Sequence, residues 1–338
     1  MSKNRIGSGL KAWLRRDGLA IALYALVTIL MTYPLFFKLG GDWLALRDAD
    51  TYMKLWDNWW LQTFAFKEPS LFFTDMQFHP GGLDLSHHSI SWSVAFLAWG
   101  LTLVSDAITA YNLTILIALF TTAYATYLLA RPFTQYRAAA WLAGAIYGFA
   151  PYIVGHSGGH PDLVNLAPIP LAVLFLFQTF RKPSVPAGLG AALMIGLAAF
   201  NSLYIMVFAL LTIGPVFLFL LLNERRWKQK EIWPAVGGFL LLSGLLLGIR
   251  LIPIFSNIGA LGEAIEQKYT ANVNQADVIS YILPNFFNPL FSPYTRENAN
   301  NYGIMNGKWS AYLGLVALAL AITALTCKKQ RKITWLMT

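Results

Sequence analysis

The sequence has little charge and almost no cysteine. Only 12% of its residues are charged, whereas 57% are hydrophobic, which excludes an ordinary soluble protein of this length. The single cysteine, Cys327, excludes an intrachain disulfide and a cysteine-rich metal site. No internal repeat recurs at a fixed period, whereas many transporters are built from repeated halves.

Apolar runs dominate what is present. A helix needs about 20 apolar residues to cross the hydrocarbon core of a bilayer. We therefore predict an all-α, polytopic integral membrane protein with about eight transmembrane helices, plus interfacial helices in a long first external loop. The predicted spans are 19–37, 111–130, 138–153, 164–180, 187–200, 203–222, 233–254 and 311–326.

Basic residues recur beside alternate runs and predict the orientation. They are Arg5, Lys11, Arg15, Arg16, Arg131, Arg137, Arg181, Lys182, those from Arg225 to Lys230 and those from Lys328 to Lys332. Cytoplasmic segments carry such an excess, so we place the N-terminus in the cytoplasm and the protein in the plasma (inner) membrane. The net charge of +9 then reflects topology and contact with membrane lipids, without a nucleic-acid partner.

The same rule decides how residues 90–104 are interpreted. They are apolar enough to be counted as a span, but a crossing there would put the loop from Arg131 to Arg137 outside. We therefore predict an interfacial helix at 90–104. The external segments become 38–110, 154–163 and 255–310.

We interpret residues 1–332 as one transmembrane domain. Residues 333–338 read as the start of a further, truncated helix. The first run ends in bulky aromatics without a small-residue cleavage pattern, so we expect an uncleaved first helix.

Acidic residues are concentrated in the first external segment. Seven of them lie between residues 42 and 84, namely Asp42, Asp48, Asp50, Asp57, Glu68, Asp75 and Asp84. Tyr52, Leu55, Trp56, Trp59 and Trp60 follow at helical spacing, which predicts an amphipathic interfacial helix with Asp48 and Asp50 at its N-terminus. Carboxylates there either cap the helix or, kept ionised by its dipole, act as a base or hold a cation.

Cationic and histidine candidates lie in other external positions. Arg250 stands inside an apolar run near its outer end, where a charge is either functional or reaches the headgroups. His156 and His160 flank a short turn with Asp162, which suits a metal, a sugar or a phosphate. The glycines and the proline argue against a helical metal motif there. His79, His87 and His88 belong to the first loop.

The order of these features resembles the GT-C glycosyltransferases, polytopic enzymes that use lipid-linked sugars. The group includes the dolichyl-phosphate-mannose protein mannosyltransferases, the bacterial aminoarabinose transferases and related uncharacterised bacterial membrane proteins. The resemblance spans roughly residues 15–325. It rests on Asp50, Trp56, Trp59, Trp60, the run Phe78-His79-Pro80-Gly81-Gly82, His87 or His88, and Gly159-His160.

The resemblance implies a transferase that inverts the sugar configuration on the extracytoplasmic face. Asp50 corresponds to the base and Asp48 to the second acid of a D-x-D-like pair, and both are candidates for a divalent ion such as Mg or Mn. Arg250 and the histidines, with Trp56, would bind a polyprenyl-phosphate sugar donor. The acceptor is a lipid, a glycan or a protein.

The third external segment, 255–310, departs from the pattern. Related proteins place an acid shortly before Tyr-Leu-Gly, whereas Lys308-Trp309-Ser310-Ala311 precedes Tyr312-Leu313-Gly314 here. Its alternating aromatics and prolines suggest a lid, or a groove for a polyprenyl chain. Two alternatives to the transferase stay open: a polytopic transporter and a non-catalytic lipid or glycan assembly factor.

Overall fold

The computed structural model describes residues 3–40, 49–67, 70–256, 278–284, 291–293 and 311–326, and these are mostly helical. Twelve α-helices occur within these ranges. In chain order they are α1 (Lys3–Met31), α2 (Ala49–Thr63), α3 (Trp92–Thr102), α4 (Ala107–Ala130), α5 (Arg137–Gly148), α6 (Pro151–His156), α7 (Pro161–Val164), α8 (Pro168–Arg181), α9 (Val185–Asn201), α10 (Leu203–Leu222), α11 (Trp233–Ser256) and α12 (Leu315–Thr326). Two short antiparallel strands, β1 (Phe73–Thr74) and β2 (Leu83–Asp84), form a hairpin in the first loop.

Within the described ranges, four helical segments are long and apolar enough to cross a membrane. They are Ala107–Phe133, Pro161–Arg181, Leu203–Leu222 and Lys230–Ser256. Shorter apolar helices occur at Trp92–Thr102, Val185–Asn201 and Leu315–Thr326. An all-helical membrane protein is therefore what the structure supports, and the count of eight spans stays a prediction.

Helix α3 covers the segment predicted to be interfacial. Its 11 residues rise about 16 Å, which is roughly half of the hydrocarbon thickness. The predicted span 138–153 is not one helix, because α5 ends at Gly148 and α6 begins at Pro151. Proline lacks the N–H that an uninterrupted helix would need at that position.

The two ends of α4 contact different parts of the chain. At its N-terminal end, the Tyr111 hydroxyl donates to the Gly159 carbonyl at 2.5 Å and the Asn112 amide to the Leu39 carbonyl at 2.9 Å. At its C-terminal end, the Tyr127 hydroxyl donates to buried Asp17 at 2.9 Å. Tyr111 and Tyr127 are 16 residues apart in α4, which is about 24 Å along the helix axis. The segments that contact its two ends are therefore separated by most of the hydrocarbon thickness of a bilayer.

Three of the predicted cytoplasmic basic segments meet at the Asp17 end. The Arg137 guanidinium donates to the Arg16 carbonyl at 2.7 Å. The Arg181 guanidinium lies 5.7 Å from the centre of the Phe133 ring. These basic residues are therefore clustered in space, as the orientation rule requires of segments on one side.

Glycines allow close contact between α4 and α5. A Cβ on Gly148 would lie 2.5 Å from the Ala123 Cα, and one on Gly144 would overlap the Tyr24 hydroxyl. Gly188 of α9 approaches the Ala235 carbonyl of α11 in the same way. Small residues at such crossings let membrane helices pack backbone against backbone.

Replacing Gly148 by alanine should therefore destabilise the protein. The added methyl would force α4 and α5 apart, and overpacking of this kind costs about 1–3 kcal/mol. We expect a lower melting temperature for Gly148→Ala in detergent than for the wild type.

Gly237→Ala is the matched control, because a Cβ at that helical position would meet nothing within 4 Å. Its melting temperature should stay the same or rise, since alanine favours a helix over glycine. Equal melting temperatures for the two variants would contradict the close α4–α5 contact.

Candidate active site

The candidate site is built on α2, where the structure places Asp50 in the first helical turn. Its side chain is 52% exposed. Asp48 lies outside the described residues. The predicted helix is thus observed with Asp50 at its N-terminal end, where the helix dipole is positive.

The face that α2 turns inward differs from the predicted aromatic stripe. Lys54 and Asp57 are buried, with 4% and 1% of their surface exposed, whereas Tyr52 and Trp59 are 53% and 45% exposed. Positions 54, 57, 58 and 61 recur at helical spacing, so the polar residues share the buried face with Leu61. Charged residues at those positions are tolerated only where partners are available.

The second external segment meets the N-terminal end of α2. Helix α6 ends at His156 and α7 begins after His160, so residues 157–160 form the predicted non-helical turn. The Nε2 atom of His160 lies 3.8 Å from the Asp50 Oδ2. The His156 and His160 rings are 5.8 Å apart between centroids. The structure therefore brings together two of the predicted site residues that are distant in sequence.

Lys54, one helical turn after Asp50 in α2, also contacts the segment that carries His160. Its Nζ lies 3.4 Å from the Asp162 Oδ2 and 3.8 Å from the Asp57 Oδ2. The ammonium also donates to the Ser91 hydroxyl at 3.3 Å and to the Ser89 carbonyl. This ion-pair cluster ties α2 to α7 and to the segment that enters α3.

The backbone around Asp162 is also held. The Asn201 amide donates to the Asp162 carbonyl at 2.5 Å, and the Ser93 hydroxyl donates to the Asn201 Oδ1 at 3.0 Å. Asn201 is the last residue of α9 and is fully buried. The break between α9 and α10 thus supplies a polar group that fixes the loop.

Histidines and Arg250 approach the cluster from the first loop and α11. His88 Nδ1 lies 3.6 Å from the Asp57 Oδ1, and its ring is 6.1 Å from Trp56. His87 Nδ1 is 3.1 Å from the Ser86 hydroxyl. Arg250, only 2% exposed, donates to the Ser86 carbonyl at 3.0 Å. His79 is exposed in the turn between β1 and β2.

Burial and charge shift the ionisation of the cluster. Burial raises the pKa of Asp57 to about 7, with Lys54 opposing and Asp162 adding to the shift. Burial, with Lys54, lowers the pKa of His88 to about 4. Neither carboxylate oxygen of Asp57 accepts a hydrogen bond from the described residues. Below neutral pH the folded state therefore holds a proton on the Asp57 carboxyl group and none on the His88 ring.

A groove runs beside the charged face of α2. Its volume is about 350 Å³. It is lined by Tyr52, Leu55, Trp56, Asn58, Trp59 and Gln62 of α2, by Ala98 and Thr102 of α3, and by Ala107 of α4. The lining is mostly apolar and aromatic, with two side-chain amides, as in many small-molecule sites.

Sequence reasoning missed the roles of Lys54, Asp57 and Asp162. Asp162 was noted with the two histidines, but without a contact. The available signal was the spacing of Lys54 and Asp57 by three residues on an aromatic-rich helix. That spacing puts both on one face, but it does not show that the face is buried.

The described residues show no metal centre. The residues that the structure describes contain no group of three or more histidine, cysteine, aspartate or glutamate side chains suited to a metal ion. Asp48, one of the two predicted ligands, is outside that set. The carboxylate oxygens of Asp57 and Asp162 already face the Lys54 ammonium.

The fold and the site define a helical membrane protein with an acidic, histidine-containing site built from residues 50–88 and 156–162. The family model for dolichyl-phosphate-mannose-protein mannosyltransferase matches residues 91–247. This match supports membership of the GT-C superfamily, whose members are membrane glycosyltransferases that use a lipid-linked donor and an acceptor. No curated protein matches the chain.

The matched region covers part of the site. It includes α3 and both histidines of the second loop with Asp162, whereas Asp50, Lys54 and Arg250 lie beyond its limits. The contacts of Lys54 with Ser91 and Asp162 therefore connect α2 to the matched region.

The opposite pKa shifts of Asp57 and His88 predict opposite pH profiles of stability for two variants. In the wild type the two shifts oppose each other, because between pH 4 and 6.5 the folded state protonates Asp57 and the unfolded state protonates His88. In His88→Gln only the Asp57 shift remains, so stability should fall as the pH rises from 4 to 7. In Asp57→Asn only the His88 shift remains, so stability should rise between pH 4 and 6.5.

The melting temperatures of both variants across this pH range are the measurement. The wild type, with both groups present, is the control and should change less than either variant between pH 4 and 6.5. Parallel pH profiles for the two variants would contradict the opposite pKa shifts of these groups.

Proposed function

We propose that the protein transfers a sugar from a polyprenyl-phosphate donor to an acceptor hydroxyl on the extracytoplasmic face, with Asp50 as the general base. The observation that carries the proposal is the half-exposed Asp50 carboxylate, 3.8 Å from His160 in a membrane protein with GT-C similarity. A base must be reachable by the acceptor, and Asp50 is the exposed member of the site's three described carboxylates.

The reaction would proceed as a displacement at the anomeric carbon. Asp50 takes the proton of the acceptor hydroxyl while its oxygen bonds to that carbon. The bond from the carbon to the phosphate oxygen breaks, the electron pair leaves with the phosphate, and the configuration inverts. A base on one side and a cationic group on the other are what this displacement requires.

His160 suits a positioning role for Asp50, since its imidazole lies beside the carboxylate. A small rotation of either side chain would turn the 3.8 Å approach into a hydrogen bond. This placement differs from the expected contact of His160 with the phosphate. His156 lies behind it, and its Nδ1 donates to the Tyr152 carbonyl at 2.7 Å.

Arg250 is proposed to face the donor phosphate. Its burial among apolar residues requires a partner for its charge, yet the only hydrogen bond that the described residues show for it goes to the Ser86 carbonyl. Its Nε has no acceptor among those residues. The planar guanidinium therefore keeps donors for a phosphate, which it binds through a fork of N–H groups.

The groove beside α2 is proposed to hold the apolar chain of the donor near its sugar. Its aromatic wall is on the helix that carries Asp50. Leu103 and Val104, which follow α3 directly, are 79% and 85% exposed. Exposed apolar residues at that position suit contact with lipid, so a lipid chain could enter there from the bilayer.

The proposed topology places the site on the extracytoplasmic side of an inner membrane. Asp50 and His160 lie near the end of α4 that carries Tyr111. The basic residues around Arg16 lie near its other end. Positively charged segments favour the cytoplasm, which supports an external site and a cytoplasmic N-terminus.

Replacing Asp50 by asparagine should abolish transfer while leaving the fold intact. The amide has nearly the same shape but cannot accept the acceptor proton, and loss of a general base reduces rates roughly 10²–10⁴-fold. The measurement is sugar transfer from a panel of radiolabelled polyprenyl-phosphate sugars by membranes that contain equal amounts of each protein.

Asp75→Asn is the matched control, because Asp75 is an exposed acid of the same loop. It should transfer at the wild-type rate. Full activity in Asp50→Asn would remove Asp50 from the base role. Absence of turnover by the wild type across the panel would instead favour the transporter or the assembly factor.

Replacing Arg250 by lysine should weaken use of the donor. Lysine keeps the positive charge but loses the guanidinium fork, so we expect the KM for the donor to rise roughly 10-fold or more, as expected for a charged hydrogen bond of 1.5–3 kcal/mol. Steady-state kinetics at varied donor concentration provide the measurement.

Arg226→Lys serves as the control, since Arg226 belongs to the loop between α10 and α11 and pairs there with Gln229 at 3.2 Å. An unchanged donor KM in Arg250→Lys, with the control also unchanged, would exclude a phosphate contact by Arg250.

A further inference from the structure

The Lys54 ammonium is surrounded by oxygen atoms from three segments of the chain. Asp57 supplies one from α2, Asp162 one from α7, and Ser91 and Ser89 supply a hydroxyl and a carbonyl from the segment before α3. Two carboxylates, a hydroxyl and a backbone carbonyl are the ligand types of hard divalent cations. A lysine nitrogen stands where such an ion would lie.

Burial makes a cation at this position stabilising. Asp57 and Asp162 are 1% and 6% exposed, and Lys54 is 4% exposed. Two carboxylates that approach each other in a protein interior repel and are desolvated, and a positive charge between them offsets both effects. The distances of 3.3–3.8 Å from Lys54 Nζ to Asp57, Asp162 and Ser91 are those of ion pairs and hydrogen bonds, longer than metal–oxygen bonds.

We propose that Lys54 is a built-in cation that takes the place of a divalent metal ion between the first and second external segments. In this role it is a positioning residue: by holding Asp162 it keeps His160 beside Asp50. The oxygen set as built therefore does not fit an additional divalent ion, since its centre is filled by the ammonium group. The role of Lys54 is measured through the melting temperature, so its test does not depend on the proposed transferase activity.

The inference predicts that removal of the amine creates a metal site. Lys54→Ala would leave an open space between Asp57 and Asp162, with the Ser91 hydroxyl and the Ser89 carbonyl beside it. A divalent ion binds such a set of oxygens, and a ligand that binds only the folded state raises its stability. The variant should thus gain a dependence on divalent ions that the wild type lacks.

The test uses the full chain, purified in detergent, treated with EDTA and then titrated with CaCl₂ or MnCl₂. Its readout is the melting temperature. We expect no shift for the wild type, a lowered melting temperature for Lys54→Ala, and a rise of several degrees in that variant on addition of either ion. Lys54→Ala combined with Asp162→Asn should have a low melting temperature without that rise, because one carboxylate is gone.

Lys54→Arg is the conservative control. It keeps a cation in place, so it should melt closer to the wild type than Lys54→Ala and should not respond to either ion. If Lys54→Ala does not fold, the melting temperatures of the wild type and Lys54→Arg are compared with and without each ion. Melting temperatures that do not change with either ion in both proteins support the inference.

Two results would overturn the inference. The first is a rise in the wild-type melting temperature with Ca²⁺ or Mn²⁺ that Asp162→Asn abolishes, because the wild type would then hold an ion beside these residues. The second is a folded Lys54→Ala whose melting temperature is unaffected by either ion.

Discussion

The ion pair between Lys54 and Asp162 holds together the segments that form the candidate site. It lies between a helix of the first external segment and a one-turn helix of the second, which are far apart in sequence. Because both side chains are almost fully buried, each is energetically acceptable only with the other in place. His160 is two residues from Asp162, and Asp50 is one helical turn from Lys54, so the ion pair and the contact of His160 with Asp50 join the same two segments.

The same constraint explains why the site is polar inside a largely apolar protein. Asn201 binds the backbone at Asp162, Arg250 binds the backbone at Ser86, and Tyr111 binds the backbone at Gly159. Each of these side chains belongs to an apolar helix and is buried, so each satisfies a backbone carbonyl that would otherwise lose its hydrogen bond to water. The membrane helices therefore act as a rigid base on which the external segments are fixed, an arrangement that suits a site requiring precise geometry.

The membrane helices themselves are held together by close contact between their backbones. In lipid, apolar side chains gain little by leaving one apolar environment for another, so close contact between backbones becomes important. Gly148 against Ala123 and Gly188 against Ala235 provide such contacts at two helix pairs. These contacts set the positions of α4, α5, α9 and α11, and hence of Tyr111, Asn201 and Arg250.

Composition and periodicity determined the class of protein, the helical segments and the place of Asp50 at the start of α2, because hydrophobic length and helical spacing are local properties of a sequence. The resemblance to GT-C enzymes was also carried by motif order, and the family match supports it. The buried face of α2 and the partners of Arg250 and His88 were decided by the tertiary structure. The break between α5 and α6 follows instead from Pro151, a local signal that the predicted span 138–153 did not use. Whether Lys54 and Asp57 face water or the interior depends on Asp162 and Ser91, and no local pattern contains that information, since burial of a charge is determined by the partners that the rest of the fold brings to it.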